Sequence, residues 1–197
     1  MKIKIPHWAI KAALSIADLE SFGDTSKPDM RMYEYSWAIS ILTRQTTGRL
    51  LDIGCTASLN MIPATMCELG WSVYGLDIRD FAFTHNNFHF VKDMSELYDI
   101  KFDAITAISS LEHFGISGRY GIQKSNLSVA KDTADIAKEM LNRHGIFLVT
   151  VPFTFDNAKI TNNMMIYDKK SLQELMKPLE TILTMKETTA MMCGIKR

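Results

Sequence analysis

The 197-residue chain has only three cysteines, Cys55, Cys67 and Cys193, and none stands in a C-x-x-C spacing. An odd count without such pairs supports neither a disulfide framework nor a zinc knuckle, and it suits a reducing cytoplasm. Nowhere does the sequence hold the roughly 18–20 uninterrupted apolar residues that a membrane-crossing helix requires. The N-terminal apolar stretch is broken by His7, Lys11 and Asp18 and lacks a clear small-residue cleavage site, so it is not read as a signal peptide. Neither sign of charge is in surplus: Lys+Arg and Asp+Glu number 22 each. That balance argues against a nucleic-acid binder, which depends on clustered cations. Repeats, low-complexity tracts and a separating linker are absent as well.

What the sequence does have is apolar content, 47% hydrophobic against 22% charged, which suits one globular domain. From Arg49 onward short apolar runs alternate with helical patterns, the sign of βαβ units around a parallel sheet. Strands are expected at Arg49–Ile53, Ser72–Leu76, Phe88–Val91, Phe102–Ile108 and Gly145–Val151. Helices are expected at Leu59–Leu69, at Val129–Leu141 with Asn142–Gly145 as a turn after it, and at Lys169–Met176. Two further helices, Trp8–Phe22 and Tyr33–Thr46, precede this core. Pro152–Tyr167 reads as a loop, and strand-like runs near Thr181–Glu187 and Met191–Ile195 close the chain. The simplest partition is a single domain over 1–197, with a helical cap at 1–48 and a core at 49–197.

Two stretches carry the chemistry. In RLLDIGCTASLN, Arg49 to Asn60, an apolar strand ends in Asp52, turns at Gly54 and leads through small residues into a helix. Glycine permits close backbone approach, and a helix start offers free N–H groups. In VYGLDIRD, Val73 to Asp80, a second strand ends in Asp77, where a carboxylate can accept hydrogen bonds from both hydroxyls of a ribose. Together they point to an adenosine-type ligand on a doubly wound sheet. The turn lacks the later glycines of G-x-G-x-x-G that a dinucleotide pyrophosphate calls for, and Asp52 would repel a pyrophosphate but suits an ammonium. The balance moves from a nicotinamide dinucleotide towards S-adenosylmethionine (SAM).

LLDIGCTASL, VYGLDIRD, FVKDM, FDAITAISSLEHFG and HGIFLVTVPF, in that order, resemble the successive motifs of class I SAM-dependent methyltransferases. The likeness is nearest to small bacterial and archaeal members with an EYxWAI-like helix before the first strand and an EHxG…YG segment after the fourth. It implies an α/β, doubly wound, Rossmann-like sheet, mostly parallel, with a C-terminal antiparallel hairpin and an N-terminal helical cap. It further implies that Asp52 and Gly54 lie beside the methionine part of SAM, with Cys55 and Ser58 lining the same turn. Asp77 would hold the ribose, Ile78 would pack on the adenine, Asp93 would accept from its amino group beside Met94, and Ser109 would line the pocket near the sulfonium. Thr56 departs from the pattern, since glycine is common there.

The same resemblance places Glu112 and His113 as candidate catalytic or acceptor-contacting groups, with Glu34, Tyr35 and Tyr120 near the acceptor. Their structural alternative is Glu112 at a helix cap and His113 bonded to a loop carbonyl. No metal is expected: Ser109 stands where some methyltransferases carry an ion-binding glutamate. The acceptor implied is a small molecule or glycan-like compound. A non-catalytic SAM-binding or scaffold protein and an NAD(P)-dependent oxidoreductase stand as alternatives. The oligomeric state is not legible.

Overall fold

The computed structural model describes residues 30–56, 61–118, 121–161, 163–186 and 188–197. The expected helix Trp8–Phe22 and the candidate residues Ser58 and Tyr120 lie outside the described residues. Contacts gather the chain into two compact units that divide between Met94 and Ser95.

In the first unit, helix α1 (Met30–Leu42) is followed by β1 (Arg49–Ile53), α2 (Met61–Glu68), β2 (Ser72–Leu76) and β3 (Phe88–Val91). The three strands are parallel in the order β3-β2-β1, with Asp52 opposite Gly75 and Val73 opposite Phe88. Strand β1 is buried from Leu50 onward, as a strand covered on both faces should be. Helix α2 brings Ile62, Met66 and Cys67 into the core beside Trp71. Helix α1 spans Met30–Leu42 rather than the expected Tyr33–Thr46. It ends early because Arg44 and Gln45 bond back to the carbonyls of Ile41 and Leu42, tightening the last turn.

The second unit holds β4 (Phe102–Ile108), α3 (Ser128–Met140), β5 (Leu141–Pro152), β6 (Lys159–Thr161), β7 (Met164–Ile166), α4 (Lys169–Met176), β8 (Glu180–Lys186) and β9 (Thr189–Ile195). The order is β4-β5-β9-β8: β4 and β5 are parallel, β9 runs antiparallel to β5, and β8 antiparallel to β9. Phe102, Ile105, Phe147, Leu148 and Val149 form its fully buried centre. The turn expected at Asn142–Gly145 is absorbed into β5: Phe102 pairs with Leu141 and Ala104 already with Ile146, so the intervening residues bulge from the ladder. His144 takes φ +65° there, and Asn142 Nδ2 donates to Asp103 Oδ1 at 2.8 Å. The expected loop Pro152–Tyr167 contains the β6–β7 hairpin instead, with Ile160 opposite Met165.

Two lysines fasten this unit. Lys138 is only 4% exposed, and its Nζ donates to the carbonyls of Leu175 and Lys177 (2.8 and 2.5 Å) while pairing with Asp135 Oδ1 at 2.6 Å. It caps the last turn of α4 from the flank of α3. Lys196 Nζ in turn donates to the carbonyls of Lys138, Glu139 and Leu141 at 2.9–3.1 Å, at the end of α3. Replacing Lys138 with Met keeps the stem but strands those carbonyls, and about 2 kcal/mol of stability is expected to be lost. Thermal unfolding should fall by about 4–8 °C, and a melting temperature within 1 °C of the parent would refute the capping role.

Among the described residues, no helix is long and apolar enough to cross a membrane.

Candidate functional site

In the first unit the sequence-predicted residues collect at the carboxyl ends of β1 and β2, where open α/β sheets bind ligands. Asp52 is buried near the end of β1, 5% exposed. The chain then reverses at Gly54, whose φ of +81° favours glycine. The N–H groups of Gly54 and Cys55 both donate to the Leu76 carbonyl, at 2.8 and 3.4 Å, and so tie the turn to the end of β2. Asp77 follows directly.

The Asp77 carboxylate is densely bonded. Thr56 donates to Oδ2 from its hydroxyl at 2.6 Å and from its N–H at 3.2 Å. Arg79 donates to Oδ1 from its N–H and Nε (3.0 and 3.2 Å) and to Oδ2 from Nη2 at 3.1 Å. Burial works to raise the Asp77 pKa, but the Arg79 and Thr56 hydrogen bonds and the Arg79 charge outweigh it and hold the carboxyl below its ordinary value. Thr56 thus fixes Asp77 against the turn. The Cys55 thiol is pushed far up, first by burial and then by the charges of Asp52 and Asp77, so it is no nucleophile at neutral pH.

Ile78 stands 60% exposed beside this cluster. Asp93 is exposed and Met94 half-buried at the end of β3, Met94 opening a short 3-10 turn over Met94–Leu97. Glu34 and Tyr35 are buried on α1, 2% and 5% exposed, and Arg31 Nη1 pairs with Glu34 Oε2 at 3.4 Å.

In the second unit, β4 is followed by Ser109, whose φ of +45° is rare for a residue with a side chain. Its N–H donates to the carbonyl and the hydroxyl of Thr150, at 3.0 and 2.9 Å, which holds the bend. The next residues form a single 3-10 turn, Leu111–His113. Glu112 is 2% and His113 8% exposed, with Glu112 Oε1 3.7 Å from His113 Nε2. The carbonyl of Asn163 lies 2.8 Å from His113 Nδ1. A carbonyl can only accept, so Nδ1 carries a hydrogen, and in a neutral ring the lone pair falls on Nε2. Tyr167, 5% exposed, has its phenol pushed up by burial and by the nearby Glu112 charge.

Sequence reasoning missed three contributors. Arg79 sits inside VYGLDIRD, but nothing in that string marks it as the partner of Asp77. Asn163 acts through its backbone, and the only signal was the Asn162-Asn163 pair between two apolar runs. Ser110, beside Ser109 in the motif, has its hydroxyl buried without a hydrogen-bond partner among the described residues. Among the described residues no group of three or more His, Cys, Asp or Glu side chains is placed to hold a metal ion.

No protein-family profile matches the chain, and no curated protein sequence does. Solved structures do. One is the 1,6-didemethyltoxoflavin-N1-methyltransferase of Burkholderia thailandensis with S-adenosylhomocysteine (SAH), similar over 100% of this chain and 92% of its own, at 16% identity and TM-score 0.66. Another is the N-methyltransferase NodS of Bradyrhizobium japonicum in complex with SAH, covering 95% and 98% at 10% identity and TM-score 0.61. A third is CalS10, an amino pentose methyltransferase of Micromonospora echinaspora with SAM bound, covering 98% and 99% at 10% identity and TM-score 0.59. Along its length the chain therefore has the α/β, mostly parallel, Rossmann-like fold that these methyltransferases share.

Proposed function

We propose that the protein is a SAM-dependent methyltransferase acting on a small-molecule or glycan-like acceptor in the cytoplasm. The observation that carries the cofactor assignment is the Asp77 carboxylate at the end of β2. Its two oxygens accept in parallel from the Arg79 fork, the same bidentate demand that two vicinal ribose hydroxyls would make. Arg79 is half exposed on its side chain, 47%, so it can swing aside while Thr56 continues to orient the carboxylate. The set of carboxylate acceptors fits the hydroxyls, amino group and ammonium of SAM. Asp52, beside the Gly54 turn, would accept from the ammonium; Ile78, with its exposed face, would lie on the adenine; Asp93 and Met94 would flank it.

SAM supplies a methyl carbon made electrophilic by its positive sulfur; the protein supplies alignment and a place for the acceptor's proton. His113 Nε2 is the proposed proton acceptor, since Nδ1 is already committed to the Asn163 carbonyl. Glu112 would stabilise the imidazolium that forms. Glu34, Tyr35 and Tyr120 are proposed as acceptor contacts and Ser109 as a contact of the sulfonium. The acceptor class draws support from the structural relatives, which include a didemethyltoxoflavin and an amino pentose methyltransferase. The three cysteines stand as free thiols, in keeping with a reducing compartment.

Calorimetric titration with SAH tests the cofactor site. Asp77→Ala is expected to weaken binding about tenfold, near 1.4 kcal/mol, because the ribose exchanges with Arg79 rather than finding bare oxygens. Unchanged affinity in the variant would sink the ribose assignment. A second reading, a SAM-binding protein without catalysis, is favoured by the burial of Glu112 and His113. Release of SAH from SAM in the presence of any member of a sugar and heteroaromatic panel would discard it.

A further inference from the structure

Strand β8 ends the sheet of the second unit, and its outer edge bonds to no other described strand. Edge strands in soluble proteins are commonly short, bulged or interrupted by proline or inward charges. Glu180–Lys186 has no proline or bulge, and its only charges are at its two ends. It is seven residues long, its ladder with β9 is unbroken from Glu180 opposite Ile195 to Lys186 opposite Thr189, and its interior is the uncharged run Thr181–Met185. Ile182 and Leu183 stand 64% and 44% exposed, on opposite faces because they are adjacent.

We infer that β8 is a self-pairing edge, through which two copies of this chain join antiparallel about a two-fold axis at Leu183. The charge pattern of the strand selects that occupant and that register. With Leu183 opposite its own copy, Glu180 faces Lys186 of the partner strand at both ends, Thr181 faces Met185, and Ile182 faces Thr184. A shift of one or two residues leaves Glu180 and Lys186 out of register with each other and opens an uncharged strand end. Opposite charges directly across an antiparallel pair are favourable, and Leu183 against its copy covers one of the two apolar side chains that each strand exposes. Glu180 already pairs with Arg197, Nη2 to Oε2 at 2.5 Å, so the partner's Lys186 would add to an existing ion pair at each end. Isologous closure uses both edges at once and stops at two chains. An interface of one strand pair is small, so the dimer should be reversible.

Sedimentation velocity of the full chain over a wide concentration range reads the association directly. Dimer formation is expected, with Leu183→Lys raising the dimer dissociation constant at least tenfold while circular dichroism and melting temperature stay at parent values. A parent that remains monomeric throughout overturns the inference. So does a dimer indifferent to Leu183→Lys. Register is read by single cysteines placed in a Cys193→Ser background, with copper–phenanthroline taking two electrons as two thiols join in one disulfide. Opposed residues of an antiparallel pair lie within disulfide reach, whereas residues two positions out of opposition do not. Leu183→Cys should cross-link at least fivefold faster than Ile182→Cys or Thr184→Cys. Equal or reversed rates overturn the two-fold at Leu183.

Discussion

Gly115→Ala is expected to cost the fold about 3–5 kcal/mol, the upper range for a single substitution. Gly115 sits at φ +72°, a conformation that costs an L-residue about 1–2 kcal/mol. A Cβ there would lie 2.1 Å from the Asn126 carbonyl oxygen and 2.9 Å from Val129 Cβ. Neither neighbour can retreat cheaply. Asn126 is held by its own N–H, which donates to the Gly115 carbonyl at 2.7 Å, and Val129 lies in the first turn of α3. The contact closes a loop that Ser117 and Ser125 brace further out, Ser117 N–H donating to Ser125 Oγ at 2.9 Å. Differential scanning calorimetry should show a loss of about 6–20 °C. A variant melting within 2 °C of the parent would refute the close approach. The glycine of the EHxG motif is thus explained by backbone geometry, with no need for a ligand.

The second large effect concerns turnover. Under the proposed function, His113→Ala is expected to lower methyl transfer about 10²-fold or more, the lower part of the range for a general base. SAH affinity should stay within twofold, because the residues proposed to hold the cofactor's nucleoside belong to β1, β2 and the end of β3. Glu112→Gln keeps the shape and removes the charge, and should lower the rate in the same sense. The measurement is SAH release on whichever panel acceptor the parent turns over. A rate within threefold of the parent for His113→Ala would leave the pair with a structural role only. A fall in SAH affinity matching the fall in rate would mean that the substitution had damaged the cofactor site.

Much of the fold was legible because the deciding signals were local. RLLDI, SVYGL, FHFV and FDAITAI are short apolar runs bounded by turn residues, and each forms the expected strand between the expected limits. Helix α4 begins where Asp168 accepts from the Ser171 N–H at 2.8 Å and Ser171 Oγ accepts from the Asp168 N–H at 2.9 Å, a capping box written into the string D-x-x-S. What escaped was set at a distance. The bulge in β5 follows from its register against β4, and β6 and β7 are three-residue strands too short to show a period. Of the candidate site, the positions of Asp52, Asp77, Glu112 and His113 were readable from motif order. Their partners were not: Arg79 is an exposed cation two residues on, and the group that fixes the His113 tautomer is a main-chain carbonyl, which no side-chain pattern announces.

The paired lysines of the second unit have a consequence for how it opens. Lys138 closes the carbonyl end of α4, and Lys196, beyond β9, closes the carbonyl end of α3. Fraying of α4 therefore releases a cation from α3, and detachment of the C-terminal residues releases the end of the helix that carries that cation. Helices that would otherwise unwind from their own ends are linked in series, so amides at the ends of α3 and α4 share one opening event rather than two. The tail after β9 acts as a latch on the helical layer as well as the finish of a sheet.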